Sequence, residues 1–383
     1  MKIVFWLALA VVAFTYLGYP MMMAAIAAIR PRPLRRDPQT PTIDVVLVVH
    51  NAADYLEAKL TNLAELDYPG DQLRINVVCD GCSDRTESIA REFRGADVRV
   101  FAYSDRRGKS ACIGAVLPCL DAEMLMFTDV RQRLDGNAAR ALAATLADPH
   151  VGAVSGELTL QADSGYGRGV DAYWRYEKMV RRMESASGSL VGVTGALYAV
   201  RRNAIDPVPP GIVLDDMWIP LRIASRGLRV VFEPSAIAYD SASADPIAEE
   251  RRKRRTLAGN YQLLHRWPQL ALPGAHPLAW RLWGHKWLRL LAPWLLLAIL
   301  LSNLALAAGG SRFYLWLLLL QIVGYALAAI GRFSAVAARL APVRLATAFL
   351  SLNASALLAL LDYMRNSSDV HLWQATRPGD VRS

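Results

Sequence analysis

Residues 3–29 contain no charged side chain, and this run constrains the fold more than any other feature of the 383-residue chain. About 20 apolar residues in a helix cross the hydrocarbon core of a bilayer. The run is too long for the core of a signal peptide, so we expect a transmembrane helix over residues 1–30. It is followed by Arg30, Arg32, Arg35 and Arg36. Because basic residues favour the cytoplasmic side, the chain after Arg36 is expected to be cytoplasmic.

Three more uncharged runs lie near the C-terminus. Residues 290–308 and 313–331 are joined by a four-residue turn and predict an antiparallel pair of membrane spans. The third run, residues 345–361, is shorter and carries polar side chains, which leaves two alternatives, a full span or a partly embedded helix. The sequence therefore predicts a membrane region of two or three helices over residues 289–364, followed by a polar tail over residues 365–383.

Tryptophan and basic residues are concentrated between residues 266 and 288, just before the predicted pair of spans. Aromatic rings with a polar group favour the headgroup layer, so we expect an amphipathic interfacial segment there. The alternative is that these are ordinary core tryptophans. The chain carries a net charge of +9, and its basic run at Arg251–Arg255 lies beside this membrane region. Such a run favours anionic lipid, so no nucleic-acid partner is expected.

The central region, residues 40–265, alternates predicted strands and helices. Residues 45–49 form a continuous β-branched and leucine run, which is typical of a strand buried on both faces of a parallel sheet. Further strands are predicted at 73–78, 98–103 and 123–127, with helical patterns between them. This order predicts an α/β domain with right-handed crossovers and helices on both faces of the sheet.

Acidic residues follow two of these predicted strands. Asp80 and Asp84 come after the second strand, and Asp129 comes after the fourth. Ligands of such sheets bind beyond the carboxyl ends of the strands. Lys109 opens a predicted helix, whose N-terminus fits an anion. These residues therefore predict a binding site at one edge of the sheet.

Other sequence motifs exclude or weaken several classes of protein. The chain has no GxGxxG after the first strand, no P-loop motif and no GxSxG, which argues against dinucleotide oxidoreductases, P-loop NTPases and serine hydrolases. An apolar content of 54% excludes a disordered chain. The four cysteines favour free thiols over a zinc site, and they are Cys79, Cys82, Cys112 and Cys119.

Residues 77–86, VVCDGCSDRT, resemble the VVDDGSxDxT signature of family 2 inverting glycosyltransferases. Further segments follow in that family's order, namely Arg107-Gly108-Lys109, Phe127-Thr128-Asp129, Val151–Gly156, Val193–Ala196 and Leu214-Asp215-Asp216. The likeness covers about residues 42–265. One membrane segment before this region and several after it resemble the polysaccharide-synthase branch of the family.

The resemblance implies a GT-A fold, that is, a Rossmann-like α/β domain with a mixed sheet, joined here to transmembrane α-helices. It implies transfer of a sugar with inversion from a nucleotide-sugar donor to a glycan or polyprenyl-linked acceptor. The protein would be a multi-pass plasma (inner) membrane enzyme of cell-surface polysaccharide synthesis, with a cytoplasmic catalytic domain. The donor-binding residues that it implies are His50, Asn51, Asp80, Asp84, Lys109 and Asp129. Asp216 matches the general base, and Asp215 is its catalytic neighbour.

The chain departs from the family's pattern at two motifs. Arg131 stands where the second acid of the DxD motif belongs, so Asp129 alone would hold a Mg²⁺ or Mn²⁺ ion that arrives with the donor phosphates. The alternatives are that Arg131 or Arg133 supplies part of the positive charge that offsets the donor pyrophosphate, or that Asp135 replaces the missing acid. The broken motif also leaves open an inactive scaffold subunit of a polysaccharide export complex.

The second departure affects the acceptor side. Arg252 and Arg255 match the Gln-x-x-Arg-Trp motif of processive members and are predicted to contact the acceptor or a phosphate, but Thr256 stands where the tryptophan belongs. The missing tryptophan leaves single-sugar transfer onto a polyprenyl lipid as an alternative to polymer synthesis.

Overall fold

The computed structural model describes residues 1–161, 168–241, 246–334 and 336–365. The strands are β1 (Ile43–Val49), β2 (Leu73–Asp80), β3 (Val98–Tyr103), β4 (Met124–Thr128), β5 (Arg133–Leu134), β6 (Val151–Gln161), β7 (Leu197–Arg201) and β8 (Arg229–Ser241). They form one sheet in the order β3-β2-β1-β4-β7-β6-β8-β5.

The α-helices begin and end at the following residues. They are α1 (Lys2–Ala13), α2 (Tyr19–Ile29), α3 (Ala53–Ala64), α4 (Thr86–Glu92), α5 (Lys109–Val116), α6 (Ala138–Leu146), α7 (Arg168–Ala186), α8 (Asp215–Ser225), α9 (Pro246–Arg266), α10 (Ala279–Leu282), α11 (Leu288–Ala308), α12 (Arg312–Phe333) and α13 (Ala341–Arg365).

The sheet is mixed. β1 pairs in parallel with β2 and β4, and β3 pairs in parallel with β2, which confirms the predicted parallel half. All seven residues of β1 are buried, as its unbroken apolar run requires. β7 then pairs antiparallel with both β4 and β6. The carboxyl ends of β1, β2 and β4 consequently open at the same edge of the sheet.

Helices cover both faces of the sheet. On one face, Leu56 and Leu60 of α3 pack against β1 and β2, and on the other face Ile113 and Val116 of α5 do the same. All four side chains are fully buried. The burial of apolar area on both faces is the dominant stabilising contribution to this domain.

The second half of the domain differs in detail from the sequence-based prediction. Its sequence has an apolar, glycine-containing pattern over residues 192–201 that is typical of a strand, but only β7 is extended, and residues 192–196 form a turn that faces α8. The pattern over residues 151–160 is typical of two short strands, whereas the structure has the single strand β6 with register shifts at 151/153 and 155/157. An alternating pattern cannot reveal such irregularities, since each one changes the face on which the next residue lies.

Four helices of the described chain are long and apolar enough to cross a membrane, namely Lys2–Ile29, Ala279–Ala308, Arg312–Phe333 and Ala341–Arg365. The first consists of α1 and α2 joined by a π-helical turn, and the second joins α10 to α11 in the same way. The polar tail and its Trp373 lie outside the described residues.

The stretch 266–288 is not a separate surface helix. It contains a short 3₁₀ turn at Pro268–Ala271, and from Ala279 onward it continues directly into α11. Trp287 is only 2% exposed and belongs to the core, whereas Trp280 is 44% exposed. Trp287 is therefore a core residue and Trp280 a surface residue.

Candidate active site

Asp80, the last residue of β2, is fully buried and holds the turn before α5. Its two carboxylate oxygens accept hydrogen bonds from the backbone N–H groups of Arg107 (2.6 Å) and Gly108 (3.0 Å). Gly108 has a φ of +87°, a conformation that favours glycine. Asp80 therefore fixes the start of α5, where Lys109 is the first residue. The structure gives Asp80 a positioning role beside the nucleotide contact predicted for it.

His50 and Asn51 connect the loop after β1 to the loop after β2. His50 Nδ1 lies 2.7 Å from the backbone oxygen of Asp80 and donates to it. Asn51 has a φ of +48°, and its Oδ1 accepts from the backbone N–H of Ser83 at 2.8 Å. The two predicted donor-binding residues thus lie together at the carboxyl edge of the sheet.

Asp84 ties the starts of two helices together. Its carboxylate accepts from the backbone N–H of Thr86 (3.0 Å) at α4 and of Ala53 (3.2 Å) at α3. Burial opposes its charge, but the hydrogen bonds with Thr86 and Ala53 outweigh this and hold the pKa of Asp84 below its ordinary value. These contacts are those of a helix cap, so the structure gives Asp84 the role of joining the starts of α3 and α4.

Lys109 lies among three carboxylates. Its Nζ donates to Asp129 Oδ1 at 2.8 Å and lies 3.6 Å from Asp215 Oδ2. Burial disfavours the ammonium charge, but Asp129, Asp215 and Asp216 outweigh burial and raise the pKa of Lys109 above its usual range. Lys109 is therefore charged at neutral pH. The structure brings together four residues that the sequence predicted from three separate motifs.

Asp216 faces Asp129 across Gly195. A Cβ atom added to Gly195 would lie 3.5 Å from Asp216 Oδ2 and 3.8 Å from Asp129 Oδ2, so the glycine leaves the space between the two carboxylates open. The turn is held in place because the backbone N–H of Val193 donates to the backbone oxygen of Asp216 at 2.9 Å. Because residue 195 has no side chain, nothing from this position fills the space between the two carboxylates.

The two acids of α8 are strongly perturbed. Asp215 Oδ2 and Asp216 Oδ1 are buried and accept no hydrogen bond within the described chain. Burial, together with the neighbouring Asp215 carboxylate, raises the pKa of Asp216 to about 7. Burial also raises the pKa of Asp215, which the nearby Lys109 partly opposes. A carboxyl whose pKa lies near the working pH suits general-base catalysis.

Lys59, which the sequence analysis missed, supports the loop that carries Asp129. Its Nζ donates to Thr128 Oγ1 (2.9 Å) and to the backbone oxygen of Gln132 (2.7 Å), which lie on either side of Asp129. Lys59 is 3% exposed, and burial lowers its pKa to about 7. The only signal in the sequence was a lysine on the apolar face of a helix.

The residues predicted to compensate for the missing DxD acid are either exposed or in contact with other groups. Arg131 is exposed, and Arg133 stacks on the ring of Tyr239 at 5.0 Å. Asp135 accepts from the backbone N–H of Asn137 at 3.1 Å and from Tyr239, so it stabilises the turn before α6. The structure thus gives Asp135 no place at the site.

Arg252 and Arg255 are half-buried on α9, which packs against α13. Between them, Arg254 forms a two-pronged ion pair with Asp362 at 2.6 and 2.9 Å. One turn after Arg255, Gly259 packs closely against Leu214, which precedes Asp215. The face of α9 that carries Arg255 is therefore adjacent to the acidic end of α8.

No three His, Cys, Asp or Glu side chains converge to hold a metal ion within the described residues. Nevertheless, Lys109 forms ion pairs with Asp129 and Asp215, and its ammonium also acts on the nearby Asp216 carboxylate. Asp129 is 44% exposed, and Asp216 Oδ1 accepts no hydrogen bond within the described residues. This excess of oxygen ligands and negative charge fits a hard divalent cation that is completed by ligands from a substrate.

Two family models match the chain. The model described as "Glycosyl transferase family 2" matches residues 44–207, and "Glycosyl transferase family group 2" matches residues 128–329, more than half of the chain. The first match contains the β1, β2 and β4 ends described above, and the second contains Asp129, α8 and α9.

Curated relatives carry glycosyltransferase names. An N-acetylglucosaminyltransferase of Rhizobium meliloti (strain 1021) is 26% identical over 216 residues, which are 51% of this chain and 50% of that protein. A beta-monoglucosyldiacylglycerol synthase of Synechocystis is 23% identical over 285 residues, 71% of this chain and 58% of that protein. The chain spans about half the length of the first relatives that it matches.

A solved structure shares the fold. The mannosyltransferase PcManGT of Pyrobaculum calidifontis, in complex with GDP-Man and Mn²⁺, aligns with a TM-score of 0.71 and 23% identity, over 94% of this chain and 99% of that one. Such coverage includes apolar helices as well as the sheet. The GT-A fold is therefore confirmed, and the chain belongs to the glycosyl transferase family group 2.

Proposed function

We propose that the protein moves a sugar, with inversion, from a nucleotide-sugar donor to a hydroxyl group of a glycan or lipid-linked acceptor at the membrane. The observation that carries this proposal is the half-buried Asp216 carboxyl. Its Oδ1 is buried and accepts no hydrogen bond within the described residues, and its Oδ2 faces Asp129 across Gly195. The family supplies the reaction type, and the names of the relatives vary between N-acetylglucosamine and glucose as the sugar.

In the proposed reaction, Asp216 accepts the proton of the acceptor hydroxyl as its oxygen attacks the anomeric carbon. Attack from the side opposite to the leaving nucleoside diphosphate inverts that carbon. Lys109 lies 2.8 Å from Asp129 and can donate to the departing phosphates, while Asp215 holds the Lys109 ammonium in place. Stabilisation of the leaving charge contributes most to the rate, and the general base adds roughly 10²–10⁴-fold.

The donor would bind at the carboxyl edge of the sheet. His50 and Asn51 line this edge, while Asp80 and Asp84 hold its loops. PcManGT was solved with GDP-Man and Mn²⁺, which supports a nucleotide-sugar donor and a divalent metal here. Asp129 would hold the Mg²⁺ or Mn²⁺ ion, whose chemistry is to offset the charge of the pyrophosphate. The face of α9 with Arg252 and Arg255 would contact the acceptor or a phosphate.

The location proposed is the plasma (inner) membrane. Four apolar helices of the described chain support a multi-pass protein, with residues 1–30 and 289–364 in the bilayer and residues 40–265 as the catalytic domain. The arginines after residue 29 support a cytoplasmic catalytic domain. A role in cell-surface polysaccharide synthesis is consistent with an acceptor at the membrane.

Substitution of the base tests the proposal. Asp216→Asn keeps the shape of the side chain and removes the base, so transfer should fall at least 100-fold while the affinity for the nucleoside diphosphate changes less than threefold. Asp206→Asn is the matched control, because Asp206 pairs with Arg222 and Arg226 away from the site. In the parent protein, kcat/KM should fall tenfold per pH unit below about pH 7, where Asp216 becomes protonated. Transfer by Asp216→Asn at a tenth of the parent rate would refute the assignment.

A further inference from the structure

One face of α7 lies against the start of the second long apolar helix, Ala279–Ala308, and carries two buried glutamates. His285 lies between them, with Nδ1 2.9 Å from Glu184 Oε1 and Nε2 2.9 Å from Glu177 Oε2. Glu184 also accepts from the Tyr19 hydroxyl, and Glu177 accepts from Arg289. Both carboxylates of this face therefore already have partners.

Arg181 lies on the same face of α7 and has no ion pair within the described residues. One of its terminal nitrogens donates to Ser155 Oγ at 2.6 Å, while its Nε is buried without a partner. The nearby Glu157 does not compensate this charge, because it is bound by Lys178 (2.7 Å) and Arg182 (3.2 Å). Arg181 is thus a half-buried cation without a direct ion pair within the described residues, and the carboxylates near it, Glu177 and Glu184, are already bound by other groups.

Lys286 is a second cation of this kind. It follows His285 in the π-helical turn Trp283–Trp287, is half-buried, and forms no ion pair within the described chain. Burial raises the pKa of Asp216, and the Lys286 ammonium is among the nearby cations that oppose this rise. π-helical turns are frequent at functional sites because they redirect side chains.

Hydrogen bonds connect Arg181 to the turn that faces Asp216. Ser155 Oγ, which accepts from Arg181, also accepts from the backbone N–H of Thr194 at 3.0 Å. Thr194 precedes Gly195, the residue that faces Asp216. The Arg181 guanidinium is therefore two hydrogen bonds from the turn that opens onto the proposed base.

The position of Lys286 along its helix matches the level of lipid phosphates. The helix runs over residues 279–308, and its uncharged part, residues 290–308, has 19 residues. At 1.5 Å per residue this part is roughly 30 Å long, which is the thickness of the hydrocarbon core. Lys286 precedes it by one turn, so if this part spans the hydrocarbon core, Lys286 would lie at the level of the headgroups.

We propose that Arg181 and Lys286 bind the phosphate of a phospholipid acceptor whose headgroup also carries the hydroxyl that Asp216 deprotonates. This inference rests on the proposed function and names the acceptor class. The acceptor O–H proton moves to Asp216, the oxygen forms a bond to the anomeric carbon, and the bond from that carbon to the nucleoside diphosphate breaks with its electron pair on the phosphate. A phosphate between a guanidinium and an ammonium forms charge-assisted hydrogen bonds.

The experiment measures binding of two short-chain lipids to the full-length protein in detergent by calorimetry, without a donor. Dioctanoyl-phosphatidylglycerol carries a phosphate and hydroxyls, and dioctanoylglycerol carries a hydroxyl alone. We expect the phospholipid to bind at least tenfold more tightly to the parent protein. Lys286→Met should weaken that binding about tenfold or more, since charge-assisted contacts are worth this much, and Lys286→Arg should restore most of it.

Arg332→Met is the matched control, because Arg332 is an exposed cation at the end of α12. Arg332→Met should leave the affinity for the phospholipid unchanged. If the overall positive charge of the protein alone attracted the anionic lipid, Arg332→Met and Lys286→Met would weaken its binding equally. Equal binding of the two lipids, or an unchanged affinity in Lys286→Met, would overturn the inference. Arg181→Met should also weaken binding of the phospholipid about tenfold or more. If that variant does not fold, Arg181→Lys keeps the charge but loses the guanidinium contacts and should weaken binding less. Because no donor is present, failure of glycosyl transfer would leave this result intact.

Discussion

Replacement of Asp216 by asparagine should stabilise the protein at neutral pH while it abolishes the proposed activity. Burial raises the pKa of the Asp216 carboxyl from 3.8 to about 7. The folded protein therefore holds a proton that the unfolded chain releases, and the free energy of unfolding falls as pH rises from about 4 to about 7. Asparagine carries no charge, so the variant should not show this loss.

The size of the effect follows from the shift. About three pKa units at 1.36 kcal/mol each give an upper limit of about 4 kcal/mol above pH 7. Asp215 shares the burial and the repulsion, so we expect a gain of about 2 kcal/mol, or about 4–8 °C in Tm for a domain of this size. At pH 4, where the folded parent is protonated, the gain should be below about 1 kcal/mol.

The difference in Tm between Asp216→Asn and the parent protein is measured at pH 8 and at pH 4. Thermal unfolding is followed by tryptophan fluorescence in one detergent and at one heating rate. Asp206→Asn is again the control, because it breaks ion pairs with Arg222 and Arg226 and should lower or leave unchanged the Tm at pH 8. The reasoning is refuted if Asp216→Asn lowers the Tm at pH 8, or if its effect on Tm is the same at pH 4 and pH 8.

Three further substitutions test the rest of the site. Asp80→Ala leaves two backbone N–H groups without a partner, so it should lower the free energy of unfolding by about 2–4 kcal/mol and weaken nucleoside diphosphate binding, both measurable by nucleotide-dependent thermal shift. Asp129→Ala should raise the Mn²⁺ concentration for half-maximal transfer; full activity in excess EDTA would remove the metal from the mechanism. Lys59→Met removes both anchors of the Asp129 loop and should raise the donor KM about tenfold with a smaller change in kcat, and an unchanged KM would limit Lys59 to a packing role.

The parallel half of the sheet could be predicted because its pattern is local. The run at β1 and the acids after β2 and β4 follow directly from the sequence, and parallel pairing brings their carboxyl ends together. The antiparallel strand β7 and the irregular β6 could not be predicted in the same way. Their bounds depend on contacts with α8 and β8, which lie far away in the sequence.

For individual charged residues, too, the sequence predicts some roles and only the structure reveals others. Asp80 and Asp84 were expected to contact the donor, but both also have strong structural contacts, because a carboxylate at a strand end is the natural partner of the next helix's free N–H groups. Arg181 and Lys59 carried no motif. Lys59 Nζ is buried and bound to Thr128, and Arg181 Nε is buried without a hydrogen bond. Only the three-dimensional structure reveals these surroundings.

The proposed donor side and acceptor side of the site differ in charge. On the proposed donor side, Asp129 and Asp215 form ion pairs with Lys109 and Asp216 lies nearby, so the excess of carboxylates would attract a metal-bound pyrophosphate whose metal supplies positive charge. On the membrane side, Arg181 and Lys286 lack carboxylate partners, so this side attracts an anion. Asp216 lies between the two sides. A donor with its metal lowers the pKa of Asp216 by adding positive charge nearby, and the base then becomes fully ionised only when the donor is in place. The arrangement therefore favours deprotonation of the acceptor hydroxyl after the donor has bound. An acceptor would then not lose its proton before the sugar that it attacks is present.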